Sequence, residues 1–146
     1  MKRAIWLLAS GFLALCLQGT ALAQEPGEVR LILKGHDPVA YFTDAKPVMG
    51  NPKISYDWDE GRYYFASKKN RDTFASDPDR YAPQFGGYCT GSMSRGVRNE
   101  GDPEAWIIAD GKLYVFGAVK FKQIALQDPA YLPSKIPGAT QNWKKQ

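Results

Sequence analysis

The sequence predicts an α+β domain built from small antiparallel β-hairpins, each packed by a short helix. Two aromatic-rich segment pairs with tight turns predict the hairpins, and a segment that ends at an Asp-Pro stop after each pair predicts the helices. Aromatic residues make up 13% of the chain, enough for one disulfide-free core.

The N-terminus has the features of a cleavable secretory signal peptide. Lys2 and Arg3 form a short positive region, residues 4–17 form an apolar run, and Ala21-Leu22-Ala23 supplies the small residues that a signal peptidase reads. The apolar run is shorter than the ~20 residues of a membrane-spanning helix. We therefore predict cleavage before Gln24 and a periplasmic or secreted mature chain with no stable membrane span.

The mature chain would be nearly neutral. Two of the 19 basic residues precede Gln24 and none of the 15 acidic residues do, which leaves a net charge of +2. The mature chain has no long block of basic residues, so the sequence predicts no nucleic-acid partner. Its length fits one domain.

The first half of the mature chain predicts a strand, a hairpin and a helix. Residues 29–33 are typical of a strand, and residues 54–58 and 62–65 are typical of a hairpin around an acidic Gly-containing turn. A helix is predicted over residues 68–76, because Ser67 is a good N-cap and an Asp-Pro pair follows.

The second half repeats this order after an irregular, glycine-rich stretch. Residues 106–109 and 113–116 predict a second hairpin around an Asp-Gly turn, and residues 118–126 predict a second helix. The resulting division is a signal peptide (1–23), an N-terminal linker and strand (24–34), the α+β domain (35–133) and a C-terminal tail (134–146).

The two halves also share short motifs. Asp37-Pro38-Val39-Ala40-Tyr41 resembles Asp102-Pro103-Glu104-Ala105-Trp106, and Glu60-Gly61-Arg62-Tyr63-Tyr64 resembles Asp110-Gly111-Lys112-Leu113-Tyr114. Two degenerate ββα units would explain these pairs. Asp-Pro and Asp-Gly are also common turn residues, so chance is the alternative interpretation.

Several ordered blocks carry a family resemblance. They are Tyr63-Tyr64-Phe65-Ala66-Ser67 with Asn70, Phe74, Asp77-Pro78 and Tyr81 after it, residues 35–42, 81–89 and 102–114, and Asn142-Trp143. Through these blocks nearly the whole mature chain resembles the YHS domain family, most of all its exported bacterial branch. The resemblance implies a role near copper or heavy-metal handling, where family members carry cysteine ligands. The matching positions here hold Ala40, Ala66 and Asn70, so that ligand set is absent.

The mature chain has a single histidine, His36, and a single cysteine, Cys89. This excludes a blue-copper centre, a Cys/His zinc site within one chain and covalent c-type haem. If the two residues meet, Met93 or Met49 would complete a set of thiolate, imidazole and thioether ligands that suits Cu(I). In the alternative interpretation Cys89 is buried and inert or pairs between chains, His36 caps a turn, and Met93 fills a loop.

We therefore predict an exported, non-enzymatic binding module with a soft-metal site of Cys89, His36 and Met93, and copper as its only cofactor. The alternative is a protein-interaction or structural module with no metal, whose partner is another exported protein. A Cys–His enzyme that also uses Asp37 ranks third. A further set of aromatic residues would either line a ligand groove or fill the core: Tyr41, Tyr56, Trp58, Tyr63, Tyr64, Tyr81, Tyr88, Trp106 and Tyr114.

Overall fold

The computed structural model of the protein describes residues 29–59 and 61–145. The proposed signal peptide and the linker residues 24–28 lie outside this part of the chain. Among the residues that are described, no helix has the length and apolar character needed to cross a membrane.

The first half of the domain forms a three-stranded sheet with short helices. Its elements are β1 (Arg30–Leu31), a 3-10 turn (Ile32–Gly35), α1 (Ala40–Thr43), β2 (Asn51–Trp58), β3 (Gly61–Phe65), α2 (Lys68–Ser76) and α3 (Pro78–Tyr81). Strand β3 lies in the middle, antiparallel to β2 and parallel to β1.

The second half has the same order of elements around a two-stranded sheet. They are a 3-10 turn (Gln84–Gly87), α4 (Thr90–Met93), β4 (Asp102–Ala109), β5 (Lys112–Phe116), α5 (Val119–Gln127) and α6 (Tyr131–Trp143). Strands β4 and β5 are antiparallel, and an isolated parallel bridge joins Pro83 to Leu113. The α+β class predicted from the sequence, with a helix after each hairpin, is confirmed.

Local chemistry explains the helices that follow the hairpins. Helix α2 spans the predicted residues, and the Ser67 hydroxyl accepts a hydrogen bond from Asn70 N at 3.1 Å. Helix α5 begins one residue later than predicted and ends one residue later. The predicted first strand is shorter than expected, because Leu33 and Lys34 adopt positive φ values and turn the chain at that point.

The two hairpins are equivalent in register. Asn51 faces Phe65 in the first hairpin and Asp102 faces Phe116 in the second, and both show a register shift after that pair. The Asn51 side chain accepts from Lys53 N at 2.9 Å, and the Asp102 side chain accepts from Glu104 N at 3.0 Å. The molecule is therefore two related units in tandem.

The structure corrects the motif pairing suggested by the sequence. Asp102-Pro103 matches Asn51-Pro52, whereas Asp37-Pro38 matches Cys89-Thr90 at the start of the short helix in the other half. Asp37 and Asp102 each accept a hydrogen bond from the backbone N–H two residues on. The Asp-Pro motif therefore indicates a local turn, stabilised by the aspartate side chain, that occurs more than once in the chain.

The buried apolar residues form two cores. The first is built around Phe74, which contacts the rings of Tyr56, Trp58, Tyr63 and Phe65, and it also contains Leu113 and Val115 from strand β5. The second contains the buried residues Phe85, Met93, Ala105, Tyr114, Phe116, Ala125, Leu132 and Ala139. Most of the predicted aromatic groove residues therefore serve the core, as the alternative interpretation had it.

The C-terminal residues form a helix where composition had indicated a tail. Helix α6 contains Pro137 in its interior and still continues to Trp143. Leu132 and Ala139 on this helix are buried in the second core, so packing outweighs the helix-breaking tendency of proline.

Candidate functional site

His36 lies at the end of the first 3-10 turn. Its Nδ1 is 3.0 Å from the carbonyl oxygen of Leu33, which accepts a hydrogen bond in the tautomer that is protonated at Nδ1. Its backbone pairs with that of Met49 in an isolated bridge. The histidine that was predicted to bind metal therefore has a turn-capping contact in the first half of the molecule.

Cys89 lies at the start of α4 in the second half and is only 6% exposed. Its Sγ lies 3.6 Å from where a Cβ on Gly117 would stand. A cavity of about 40 Å³ adjoins it and is also lined by Ser92, Arg95 and Tyr131. Burial and, second, the Cys89 thiol raise the pKa of Tyr131 above its usual value.

Met93 is one helical turn after Cys89 and is fully buried in the second core. Its backbone N–H donates to the Cys89 carbonyl at 2.9 Å. Cys89 contacts the second half of the molecule, at Asn99 and Gly117, whereas His36 contacts Leu33 and Met49 in the first half. Over residues 29–59 and 61–145, no group of three or more His, Cys, Asp and Glu side chains is arranged to hold a metal ion. The copper site stays a prediction.

Two of the three positions that the family resemblance assigns to cysteines, Ala66 and Asn70, donate hydrogen bonds to a buried carboxylate. Asp37 is 0% exposed and accepts hydrogen bonds from Val39 N at 2.9 Å, Ala66 N at 2.8 Å and Asn70 Nδ2 at 2.7 Å. Three donors compensate the cost of burying the charge. A structural polar cluster therefore lies at Ala66 and Asn70, and the sequence had given no sign of it.

An open cleft lies between the two halves. This cleft has a volume of about 360 Å³ and is lined by Arg30, Ile32, Asp59, Gly86, Tyr88, Arg98 and Trp143. An adjoining opening of about 300 Å³ shares Asp59, Gly86 and Trp143 with it. We call the first opening the Arg–Tyr–Trp cleft.

Arg30 holds the cleft together. Its Nη1 donates to both carboxylate oxygens of Glu100, at 2.8 and 2.9 Å, and its Nη2 donates to the Gly86 carbonyl. The guanidinium carbon also lies 4.0 Å from the centroid of the Tyr88 ring. Arg30 comes from the first half and its partners come from the second, so this side chain joins the two units.

Trp143 forms another wall of the cleft. Its ring centroid is 6.4 Å from that of Tyr88, with 58° between the planes. A Cβ at Gly86 would stand 2.9 Å from Trp143 Cη2, and the φ of Gly86 is +58°. Glycine at this position therefore permits both the backbone conformation and the close approach of the indole.

Further cations border the cleft. Arg98 lies with its guanidinium carbon 5.8 Å from the Tyr88 ring centroid. The Asn142 amide donates to the carbonyls of Met93, at 3.0 Å, and Ser94, at 3.3 Å, and so fixes the loop after α4 against the end of α6. We define the cationic rim as three exposed residues at this end of the cleft: Arg98, which lines it, and Lys144 and Lys145, which directly follow Trp143.

Sequence reasoning found this site only in part. Tyr88 was among the aromatic residues expected to line a groove, and it does line the cleft. Arg30 was missed because its partner Glu100 lies 70 positions away, and no local pattern records such a contact. Trp143 belongs to a block of the family resemblance, and the sequence predicted no binding role for it.

Comparison with protein-family models, curated proteins and solved structures found no match. The resemblance to the YHS domain family therefore stays a prediction from sequence blocks.

Proposed function

We propose that the mature chain is an exported, non-enzymatic interaction module that binds a partner protein through the Arg–Tyr–Trp cleft. One observation carries this proposal: a single cleft presents a tryptophan, a tyrosine and two arginines. These are the residue types that supply most of the binding energy in protein interfaces.

The order of the cleft supports the same function. Arg30 has its hydrogen bonds to Glu100 and Gly86 in place, and its planar face covers Tyr88. Binding would therefore need little further ordering of these side chains, which favours affinity. The cleft volume of about 360 Å³ suits one or two side chains of a partner segment.

Selection from a peptide library displayed on phage tests this function. Peptides enriched on the mature chain should lose about tenfold in affinity for Tyr88→Leu and for Trp143→Leu, because each variant removes a ring while keeping apolar volume. Leu126→Ala is the matched control, because Leu126 is 64% exposed on α5 and does not line the cleft.

Circular dichroism and urea unfolding would establish that the variants are folded. Enriched peptides that bind both cleft variants as tightly as the original chain would overturn the proposal. The same holds if Leu126→Ala weakens binding as much as the cleft variants do.

A further inference from the structure

We propose that the partner segment is an acidic peptide stretch with an aromatic side chain, which places its ring in the cleft and its carboxylates on the cationic rim. This inference rests on the proposed function and adds the chemistry of the partner. It follows from the distribution of charge, from the position of the rim beside the aromatic walls and from the carboxylates already in the site.

The positive charge of the mature chain is concentrated at this place. Arg30 and the three residues of the cationic rim provide four positive charges, while Asp59 and Glu100 provide two negative ones. The rest of the mature chain contains 13 basic and 13 acidic residues. The region of the cleft is therefore cationic on a molecule that is otherwise close to neutral, and such a field attracts acidic partners.

The rim lies close to the aromatic walls along the chain. Lys144 and Lys145 directly follow Trp143, and Asn142 holds the carbonyls of Met93 and Ser94, at the start of the loop that leads to Arg98, against the same end of α6. A segment whose ring lies in the cleft against Trp143 would thus have cations within reach of its neighbouring side chains. Carboxylates pair well with guanidinium and ammonium groups in this setting.

The carboxylates of the site favour a peptide over a nucleic acid. Asp59 lines the cleft, and Glu100 is held against Arg30 at 2.8 Å. A nucleic acid carries a phosphate at every nucleotide and would place some of them near these groups. A peptide can place its acidic residues opposite the rim and neutral residues opposite Asp59.

Fluorescence anisotropy with matched labelled peptides tests the inference on the mature chain, residues 24–146. The probes are a Glu-Glu-Tyr-Glu-Glu peptide, the same peptide with Gln in place of Glu, the same peptide with Lys in place of Glu, and an oligothymidylate. We expect the acidic peptide to bind at least about tenfold more tightly than the Gln peptide, and its affinity to fall with added salt.

A pair of charge-reversed variants locates the effect. Lys144→Glu with Lys145→Glu should lower the affinity for the acidic peptide about tenfold and leave the affinity for the Gln peptide nearly unchanged. Lys68→Glu with Lys69→Glu is the matched control. These two lysines are also adjacent and exposed, and they lie on α2, outside the cleft.

The outcomes separate this inference from the proposed function. Equal affinity for the acidic and Gln peptides, tighter binding of the oligothymidylate, no binding of any peptide, or equal effects of the two lysine pairs would each overturn the inference. If Tyr88→Leu still weakens the library-selected peptides, the proposed function stands without it. If binding of the acidic peptide depends on Lys144 and Lys145 but is unchanged in Tyr88→Leu, the proposed function is overturned.

Discussion

Asp37 and Cys89 occupy equivalent positions in the two halves of the molecule. Each follows a 3-10 turn and precedes a four-residue helix, and each donates its backbone N–H to a carbonyl 2.8 Å away, that of Val48 or that of Asn99. The first half fills this position with a hydrogen-bonded carboxylate, and the second half fills it with a thiol beside Gly117. One backbone arrangement thus supports two different chemistries.

The carboxylate of Asp37 should be a major source of stability. We expect Asp37→Ala to lower the free energy of unfolding by about 3 kcal/mol, because the N–H groups of Val39 and Ala66 and the amide of Asn70 lose their acceptor. Urea unfolding followed by circular dichroism measures this change.

The control for that variant is Asp57→Ala, which removes an exposed carboxylate that is paired with Arg62. We expect its unfolding midpoint to stay close to that of the original chain, because exposed ion pairs contribute little. A similar midpoint for Asp37→Ala would show that the buried network does not stabilise the fold.

Gly86 should contribute more to the stability of the fold than its positive φ alone would explain. Gly86→Ala and Gly111→Ala both place a Cβ at positive φ, but only the first meets neighbours, the Trp143 ring and Arg30, while nothing lies within 4 Å of the second. We expect a loss of about 1 kcal/mol for Gly111→Ala and a larger loss for Gly86→Ala.

Fluorine NMR of protein labelled with 5-fluorotryptophan gives the second readout. Gly86→Ala should shift the resonance of Trp143 and leave that of Trp106 in place, since Trp106 packs against the first core and lines neither opening. Equal losses of stability in the two glycine variants, with no shift at Trp143, would contradict the described packing.

Stability should fall in alkaline solution because of two buried tyrosines. Burial, and nearby carboxylates after it, raise the pKa of Tyr41 and of Tyr63 far above 10. In the unfolded chain both phenols ionise near pH 10, so above that pH the unfolded state loses protons that the native state keeps. The free energy of unfolding should be level up to about pH 9 and fall above about pH 10.

Tyr41→Phe separates the two effects of that hydroxyl. The variant loses the hydrogen bond to the Pro103 carbonyl and should be about 1 kcal/mol less stable at neutral pH. Its stability should also fall less steeply above pH 10, because one ionisable group is gone. Urea unfolding across this pH range decides the point, and an unchanged slope would mean that Tyr41 is not protected from ionisation.

Copper binding deserves a direct titration on the reduced mature chain. Cys89 has its contacts in the second half of the molecule and His36 has its contacts in the first half. We therefore expect that any Cu(I) binding that resists a competing chelator is lost in Cys89→Ser and retained in His36→Ala. Loss in both variants would instead support the predicted site of Cys89, His36 and Met93.

The sequence predicted the hairpins and the helices after them because their signals are local. Asp110 and Gly111 form a tight turn with positive φ at both residues. The Ser67 hydroxyl caps the N-terminus of α2 by accepting a hydrogen bond from Asn70 N. Helix α6 was missed because its stability comes from burying Leu132 and Ala139 against a distant core. The amino-acid composition of this segment does not reveal such packing.

The candidate site was harder to predict for the same reason. Arg30 makes a cation–π contact with Tyr88 and a salt bridge with Glu100, and both contacts join segments that lie far apart in the chain. The shared motifs suggested a repeat but in the wrong alignment, because the strand register matches Asn51 with Asp102 and Gly61 with Lys112. Patterns within one sequence show which residue types are present, but they do not show which distant residues contact each other in the fold.

The place of Arg30 between the two units has a mechanical consequence. Because the cleft takes Arg30 and Asp59 from one unit and Tyr88, Arg98 and Trp143 from the other, a partner seated there would act as a brace across the junction. Affinity and the mutual orientation of the units are then linked reciprocally: whatever tilts one unit against the other weakens the partner's hold, and the partner resists that tilt to the same extent.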